Sequence, residues 1–122
     1  MSLKLSLYSA IGLACSLNAA QAASPTVDDF AALKKSVRTG DFGARAQWTG
    51  LTFYLEGAMA AIGSAQTRLE KTDAATLFCP PRGQSLTMQD VYAMLDAAPK
   101  GADTPVATAI MAALQARFPC KP

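Results

Sequence analysis

A pair of widely separated cysteines restricts how this 122-residue chain can fold. Cys79 and Cys120 lie in the body of the chain, whereas the third cysteine, Cys15, lies in an apolar N-terminal stretch. The spacing of the pair matches no zinc-binding pattern, and the chain has no histidine, so we expect no metal site. In an oxidising compartment such an isolated pair forms an intrachain disulfide. Closing a loop of about 40 residues would contribute roughly 4 kcal/mol to stability.

The N-terminal stretch has the three parts of a secretory signal peptide. Lys4 gives a short positive start, an apolar run covers residues 5–17, and Ala20-Gln21-Ala22 supplies a cleavage site of small residues. The run is shorter than the roughly 20 residues that span a membrane, so we expect no membrane anchor in the mature form. Cleavage after Ala22 would release a mature domain of residues 23–122 into the periplasm. Lipidation of Cys15 is the weaker alternative, because a good cleavage site follows it.

Apolar residues recur every three or four positions through the rest of the chain, and no segment alternates as a strand would. This pattern predicts an all-α fold, a small single-domain helical bundle of about four helices. Helix start and stop signals place the helices at about 26–38, 44–63, 87–98 and 104–118. Residues 65–76 are polar and fit either a helical extension or an exposed loop. The disulfide would make the third and fourth helices an antiparallel hairpin.

Several residues are typical of helix N-termini. Thr26 and Thr87 are predicted N-caps, and Asp90 completes a capping-box variant with Thr87. Thr104 is predicted to cap the last helix, with Pro105 at its first helical position.

Small residues recur along the second helix, after a predicted turn at residues 40–43. Gly43, Gly50, Gly57 and Ser64 lie seven positions apart. Because a glycine inside a helix costs about 1 kcal/mol relative to alanine, the line suggests close approach by another backbone. That backbone would belong either to this chain or to the second subunit of a homodimer. The alternative is that the small residues only accommodate bulky neighbours.

The residues that catalysis usually requires are missing. Histidine is absent, and both cysteines of the body are assigned to the disulfide. Asp28 and Asp29 suit the positive end of a helix, and Glu56 suits a solvated helix face. The predicted signal contains one lysine, so 10 basic residues face 9 acidic ones in the mature chain, which gives no reason to expect nucleic acid as a partner. We therefore expect a binding protein with no catalytic residue and no cofactor.

The second half of the chain carries a recognisable set of residues. The set comprises Cys79-Pro80-Pro81, Gly83, Ser85-Leu86, Val91, Leu95, Ala107, Ile110, Ala113-Leu114 and Phe118-Pro119-Cys120. With it, the stretch from Phe78 to Cys120 resembles the immunity proteins of type VI secretion peptidoglycan amidases, the Tai family and its resistance-associated relatives. Upstream, Tyr54-Leu55-Glu56-Gly57 resembles the Tyr-x-x-Gly of that family's long helix.

The resemblance implies a periplasmic antitoxin. Such a protein binds an amidase effector delivered by neighbouring sister cells and blocks its substrate groove with a loop or a helix end. The predicted export signal agrees, since the inhibitor must meet its target at the cell wall. A periplasmic holdase chaperone of similar size and architecture is the alternative, and it would differ by binding unfolded proteins indiscriminately.

Two segments that we expect to be exposed are the candidates for effector contact. The first contributes Gln66, Arg68, Leu69, Glu70, Lys71 and Asp73, and the second contributes Pro99, Lys100, Gly101 and Asp103. The second should be rigid between two capped helices and the disulfide, and rigid loops lose less entropy on binding. Lys100→Glu or Arg68→Glu is expected to weaken effector binding without changing the fold. The alternative is that both segments are ordinary surface loops.

Overall fold

The protein is a bundle of four helices in a computed structural model that describes residues 23–122. The helices are α1 (Val27–Arg38), α2 (Phe42–Lys71), α3 (Met88–Ala97) and α4 (Val106–Arg117). This confirms the predicted all-α class. The predicted signal peptide, its cleavage site and Cys15 lie outside the described residues.

Each helix contributes one apolar stripe to a single core. The buried core residues are Val27, Phe30, Leu51, Leu55, Phe78, Val91, Leu95, Val106, Ile110, Leu114 and Phe118. Phe30 lies at the centre, and its ring packs against Trp48 at 5.6 Å and Tyr92 at 6.0 Å between centroids. Aromatic contacts at this separation add to the free energy of apolar burial. Residues from α1, α2 and α3 therefore meet in one cluster.

The helix starts of α1 and α3 follow the prediction. The hydroxyl of Thr26 accepts a hydrogen bond from the amide of Asp29, and the Asp29 carboxylate accepts one from the Thr26 amide. Thr87 and Asp90 make the same reciprocal pair at α3. Both are capping boxes with Asp at the third position, which satisfy amides that have no partner inside the helix.

The start of α4 differs from the prediction that Thr104 caps it. Pro105 occupies the N-cap position. The backbone of Thr104 is engaged elsewhere, because its carbonyl accepts a hydrogen bond from Val27 N at 2.9 Å. Val106 N donates in turn to the Pro25 carbonyl at 2.9 Å, which joins the entries of α1 and α4. A tertiary backbone link has therefore replaced the local cap.

Helix α2 is longer than predicted at both ends. It begins at Phe42, where Asp41 caps the amide of Ala44, so only the first half of the predicted turn at 40–43 is non-helical. Gly40 makes that turn with φ of +86°, a conformation that favours glycine. At its other end α2 continues through Lys71. The polar segment 65–76 is thus mostly helical extension.

The disulfide is confirmed between Cys79 and Cys120, with an S–S distance of 2.03 Å. Next to it, Cys79 N donates to the Phe118 carbonyl at 2.8 Å. At the same end of the hairpin, Arg117 of α4 pairs with Asp90 of α3 at 3.3 Å. The end of α4 therefore lies beside the start of α3, and the two helices are antiparallel as predicted.

Two glycines of α2, Gly50 and Gly57, have no close neighbour outside their own helix among residues 23–122. A Cβ built on either of them would meet nothing within 4 Å in that range. Close approach by another backbone within residues 23–122 therefore does not explain these two glycines.

Candidate functional site

The loop between α3 and α4 is fixed at its start by Lys100. The Lys100 ammonium donates to the carbonyls of Leu95 at 2.8 Å, Asp96 at 3.1 Å and Ala98 at 2.9 Å. These carbonyls belong to the C-terminal turn of α3, where unpaired carbonyls and the helix dipole attract a cation. The charge predicted to meet a partner is thus already engaged in capping α3.

The middle of the loop is fixed to α1. The Gly101 amide donates to both carboxylate oxygens of Asp28, each at 3.0 Å. Gly101 has φ of +82° and Asp103 has φ of 47°, so the chain reverses through two left-handed residues. These contacts leave Pro99, Ala102 and Asp103 exposed at the surface.

The expected rigidity of this loop has a different origin from the one predicted. The disulfide lies at the opposite end of α4, and Thr104 caps nothing. The loop is held instead by Lys100, by the Asp28 carboxylate and by the backbone link from Thr104 to Val27. A loop fixed at three points is preorganised for binding.

The other predicted segment lies at the end of α2, and Gln66 is not exposed there. Gln66 is 7 % exposed. Its amide group donates to the Phe78 carbonyl at 2.8 Å and to the Glu70 carboxylate at 3.0 Å, and its oxygen accepts from Leu77 N at 3.0 Å. Gln66 therefore ties α2 to the segment before the disulfide. The expectation that it is exposed is wrong, because the chain after α2 folds back over it.

The rest of that segment is partly committed to structure as well. Leu69 is half-buried, and its carbonyl accepts hydrogen bonds from Thr72 N and Ala74 N. Arg68, Lys71 and Asp73 are exposed, and Asp73 has φ of 50°.

The fold does not bring the two segments together. The loop of Pro99 to Asp103 precedes the first residue of α4. The other segment is linked to the opposite end of α4. Gln66 is hydrogen-bonded to the Phe78 carbonyl, and the next residue, Cys79, donates its backbone amide to the Phe118 carbonyl at the end of α4. The 12 residues of α4 separate these contacts by about 18 Å. A partner that contacts both segments must therefore span the length of α4.

A groove between α3 and α4, which was not predicted from the sequence, adjoins the rigid loop. Its volume is about 780 Å³. Its walls are mainly small side chains, with Pro99 and Thr104 at the loop end and Asp90 and Arg117 at the other; the alanines are Ala93, Ala97, Ala98, Ala109, Ala112, Ala113 and Ala116. The run of alanines on two paired helices is the signal that could have revealed it. Such an apolar groove can accept an apolar side chain of a partner.

Two carboxylates whose pKa values are lowered, those of Asp29 and Asp90, have structural roles. The Thr26 amide, followed by its hydroxyl, holds the pKa of Asp29 below its ordinary value. The Thr87 amide and hydroxyl, with Arg117, lower the pKa of Asp90 in the same way. Both groups cap helices in their ionised form, so neither holds a proton that it could donate as a general acid at neutral pH.

Residues 23–122 contain neither a candidate metal site nor a candidate membrane span. In that range no three His, Cys, Asp or Glu side chains are grouped so that they could hold a metal ion. None of the helices in the same range combines the length and the hydropathy of a membrane span.

Comparison with known proteins identifies one family. No curated protein matches the chain, and no solved structure does. A family model described as Rap1a immunity proteins matches residues 15–120, which is most of the chain and includes all four helices and both disulfide cysteines. The chain belongs to the Rap1a immunity protein family.

Proposed function

We propose that this protein is a periplasmic immunity protein that inhibits a type VI secretion peptidoglycan amidase effector. It acts by binding, and it occludes the substrate groove of the amidase. Family membership supports an effector as the partner. The signal-like pattern of residues 1–22, with cleavage after Ala22, supports a periplasmic meeting place.

The observation that carries the inhibitory mode is the three-point fixation of the α3–α4 loop. A loop that enters an active-site groove must be rigid. A flexible loop could become a substrate, and its affinity would be weaker because it would lose conformational entropy on binding. Hydrogen bonds from Lys100 to α3 and from Gly101 to Asp28 make this loop rigid. Pro99, Ala102 and Asp103 then form the contact surface, and the alanine-lined groove beside them receives an apolar side chain of the effector.

The end of α2 is the secondary candidate for this contact. Gln66 and Leu69 hold the fold, which leaves Arg68, Glu70, Lys71 and Asp73 as exposed residues that a partner could reach. These four lie about the length of α4 from the loop, so they would serve at the margin of a large interface.

The direct test is hydrolysis of muropeptides by the candidate amidase with and without one equivalent of the oxidised protein. Stoichiometric inhibition is expected. An amidase that retains full activity at saturating protein, with no complex by calorimetry, would contradict the proposal for that amidase.

The alternative function is a periplasmic holdase, which the exposure of Phe42 and Phe53 favours. Their side chains are 86 % and 68 % exposed, and exposed apolar surface can capture unfolded proteins. Suppression of aggregation of several unrelated unfolded proteins would favour the holdase. We expect no such suppression, because an immunity protein binds its effector selectively.

A further inference from the structure

The junction between α1 and α2 carries an unbalanced positive charge. Residues 30–55 contain four cations and one carboxylate, whereas the rest of residues 23–122 contains six cations and eight carboxylates. Lys34 is one of the four cations, and it pairs with Asp96 of α3. The other three are exposed and form no ion pair among the described residues: Lys35, Arg38 and Arg45. A chain with almost no net charge therefore has a local excess of positive charge.

An exposed aromatic side chain lies at the same junction. Phe42 is the first residue of α2, and it is 86 % exposed. The turn before it is tight, because the Asp41 amide donates to the Ser36 carbonyl at 3.4 Å. The first turn of α2 therefore lies next to the last turn of α1. Four residues on these two turns form what we call the basic corner: Lys35, Arg38, Phe42 and Arg45. Within each helix the two members lie three positions apart and are neighbours on the helix surface.

The one carboxylate in this stretch of the chain does not cancel the charge of the basic corner. Asp41 accepts a hydrogen bond from the Ala44 amide at 3.2 Å and so caps α2. In that position its negative charge is engaged by the positive end of the α2 dipole. The three exposed cations remain available to an anionic partner.

The other end of α1 has the opposite sign. Asp28 and Asp29 lie in its first turn, and Asp103 lies in the α3–α4 loop that is bonded to that turn. The Lys100 ammonium of the same loop is engaged by carbonyls of α3. The 12 residues of α1 separate this acidic end from the basic corner by about 18 Å. Positive and negative charge thus lie at opposite ends of one helix.

We propose that the basic corner binds the surface of a bilayer that contains anionic phospholipids. The three cations contact the headgroup phosphates, because an anionic surface attracts Lys and Arg side chains that lie close to it. Phe42 inserts at the boundary between headgroups and acyl chains, where exposed aromatic side chains of peripheral proteins are buried. The protein is then adsorbed reversibly through one corner.

The size and form of the basic corner favour a bilayer over a protein as the partner. Four side chains on two helix turns supply a small fraction of the roughly 1,200 Å² that a specific protein interface buries at the least. A bilayer needs no matched pocket for a protruding ring, and long cationic side chains reach headgroups in many positions. Positive charge around a single exposed ring therefore suits a lipid surface.

Binding to lipid should be weak. A single myristoyl chain gives half-maximal binding at about 0.1 mM lipid. Three cations and one ring should bind less tightly than such a chain, so we expect half-maximal binding at about 1 mM lipid.

The adsorbed protein should present the α3–α4 loop away from the bilayer. The loop lies at the acidic end of α1, and an anionic surface repels carboxylates. The proposal goes beyond effector inhibition and does not depend on it, so either property can fail without the other.

The first test is co-sedimentation of the exported, oxidised protein with sucrose-loaded vesicles. Vesicles of phosphatidylethanolamine with about a quarter phosphatidylglycerol should bind it, and vesicles of phosphatidylcholine alone should not. Raising NaCl from about 0.05 M to 0.5 M should weaken binding at least tenfold, because salt shortens the Debye length. A protein that stays in the supernatant at about 5 mM lipid of the anionic mixture overturns the proposal.

Charge reversal locates the contact. Arg38→Glu/Arg45→Glu should weaken vesicle binding at least tenfold. Arg82→Glu/Lys121→Glu is the matched control, since these exposed cations lie outside the basic corner and the change in net charge is the same. It should bind vesicles within threefold of the wild type, and circular dichroism checks that both variants keep their helices. Equal losses in the two variants would overturn the assignment to the basic corner.

Muropeptide hydrolysis without lipid separates this proposal from the proposed function. Arg38→Glu/Arg45→Glu should inhibit the amidase as the wild type does. Loss of inhibition with unchanged vesicle binding would assign the basic corner to an acidic protein surface and overturn the proposal.

The last test measures insertion and orientation. Trp48→Phe removes the one tryptophan of the chain and serves as the background. Phe42→Trp should then shift its emission to shorter wavelength when anionic vesicles are added, because the indole enters a less polar environment. Ala102→Trp, at the exposed tip of the loop, should show no shift. A shift for Ala102→Trp alone would show that the loop meets the bilayer and would overturn the proposed contact.

Discussion

The backbone amide of Gly101 lies 3.0 Å from each carboxylate oxygen of Asp28, although 73 residues separate them in the chain. This contact joins the α3–α4 loop to the first turn of α1. It requires a reversal in which Gly101 adopts φ of +82°. An L residue with a side chain reaches that conformation only with strain.

Gly101→Ala should therefore destabilise the protein by about 1 to 2 kcal/mol. Gly63→Ala should do the opposite and stabilise it by up to about 1 kcal/mol, since Gly63 lies inside α2 and alanine is the better helix former. Apart from the adjoining residues and the helix backbone around Gly63, no atom of the described residues lies within 4 Å of the added Cβ at either site, so backbone conformation sets the signs. Urea denaturation measures both. Shifts of the midpoint in the same direction would contradict the explanation.

The exposed tip of the loop gives a direct test of effector contact. Ala102→Trp places a large side chain where the amidase is proposed to bind, and should weaken inhibition at least tenfold because the bulk blocks close approach. Ala46→Trp is the matched control, because Ala46 is exposed on α2 outside both candidate segments, and it should inhibit as the wild type does. Inhibition constants from muropeptide hydrolysis give the comparison. If Ala102→Trp inhibits as well as Ala46→Trp does, the loop is not the contact.

Lys100→Glu is a poor test of binding. The sequence suggested that it leaves the fold unchanged, but the Lys100 ammonium donates to three carbonyls at the end of α3. A carboxylate there would repel those carbonyls. Arg68→Glu remains a clean test of the α2 segment.

Gln66→Leu should destabilise the protein by about 1 to 3 kcal/mol, because Leu77 N and the Phe78 carbonyl would lose their hydrogen-bond partner in a buried site. Gln115→Leu is the control, since Gln115 is exposed and the hydrogen bond from its side chain to the Leu77 carbonyl is 3.4 Å long. It should change stability by less than about 0.5 kcal/mol. Equal losses in the two variants, measured by urea denaturation, would contradict the role assigned to Gln66.

Removal of the disulfide should cost roughly 4 kcal/mol, given the separation of 41 residues between its cysteines. The double variant Cys79→Ser/Cys120→Ser should unfold at a much lower urea concentration than the oxidised wild type. Reduced wild type should behave like the variant. A reduced protein as stable as the oxidised one would contradict the chain-entropy argument, which assumes that the reduced unfolded chain is expanded.

The sequence predicted those features of the fold that depend on neighbours in the chain. Thr87 lies three residues before Asp90, so that capping box was predicted, whereas at α1 the sequence predicted the cap by Thr26 but not its reciprocal bond with Asp29. The cysteine pair was recognised because only one pairing exists in the body of the chain. The start of α4 was missed because Thr104 is engaged by Val27, a residue distant in sequence.

The candidate site was harder to predict for the same reason. Gln66 looked like a surface residue because its segment is polar, and only the fold shows that Leu77 and Phe78 return to cover it. Lys100 looked free because its acceptors are backbone carbonyls, which carry no sequence signature.

The two capping boxes predict how stability depends on pH. Asp29 and Asp90 have pKa values in the folded protein below their ordinary value, through hydrogen bonds from Thr26 and Thr87. Their ionised forms therefore stabilise the fold, fully above the ordinary aspartate pKa of about 4. This contribution is lost as pH falls through the lowered pKa values in the folded state. The variant Asp29→Asn/Asp90→Asn should thus melt below the wild type at pH 7, and the gap should shrink between pH 4 and pH 2. Thermal unfolding followed by circular dichroism across that range measures it, and a gap that widens on acidification would refute the assignment of these carboxylates as ionised caps.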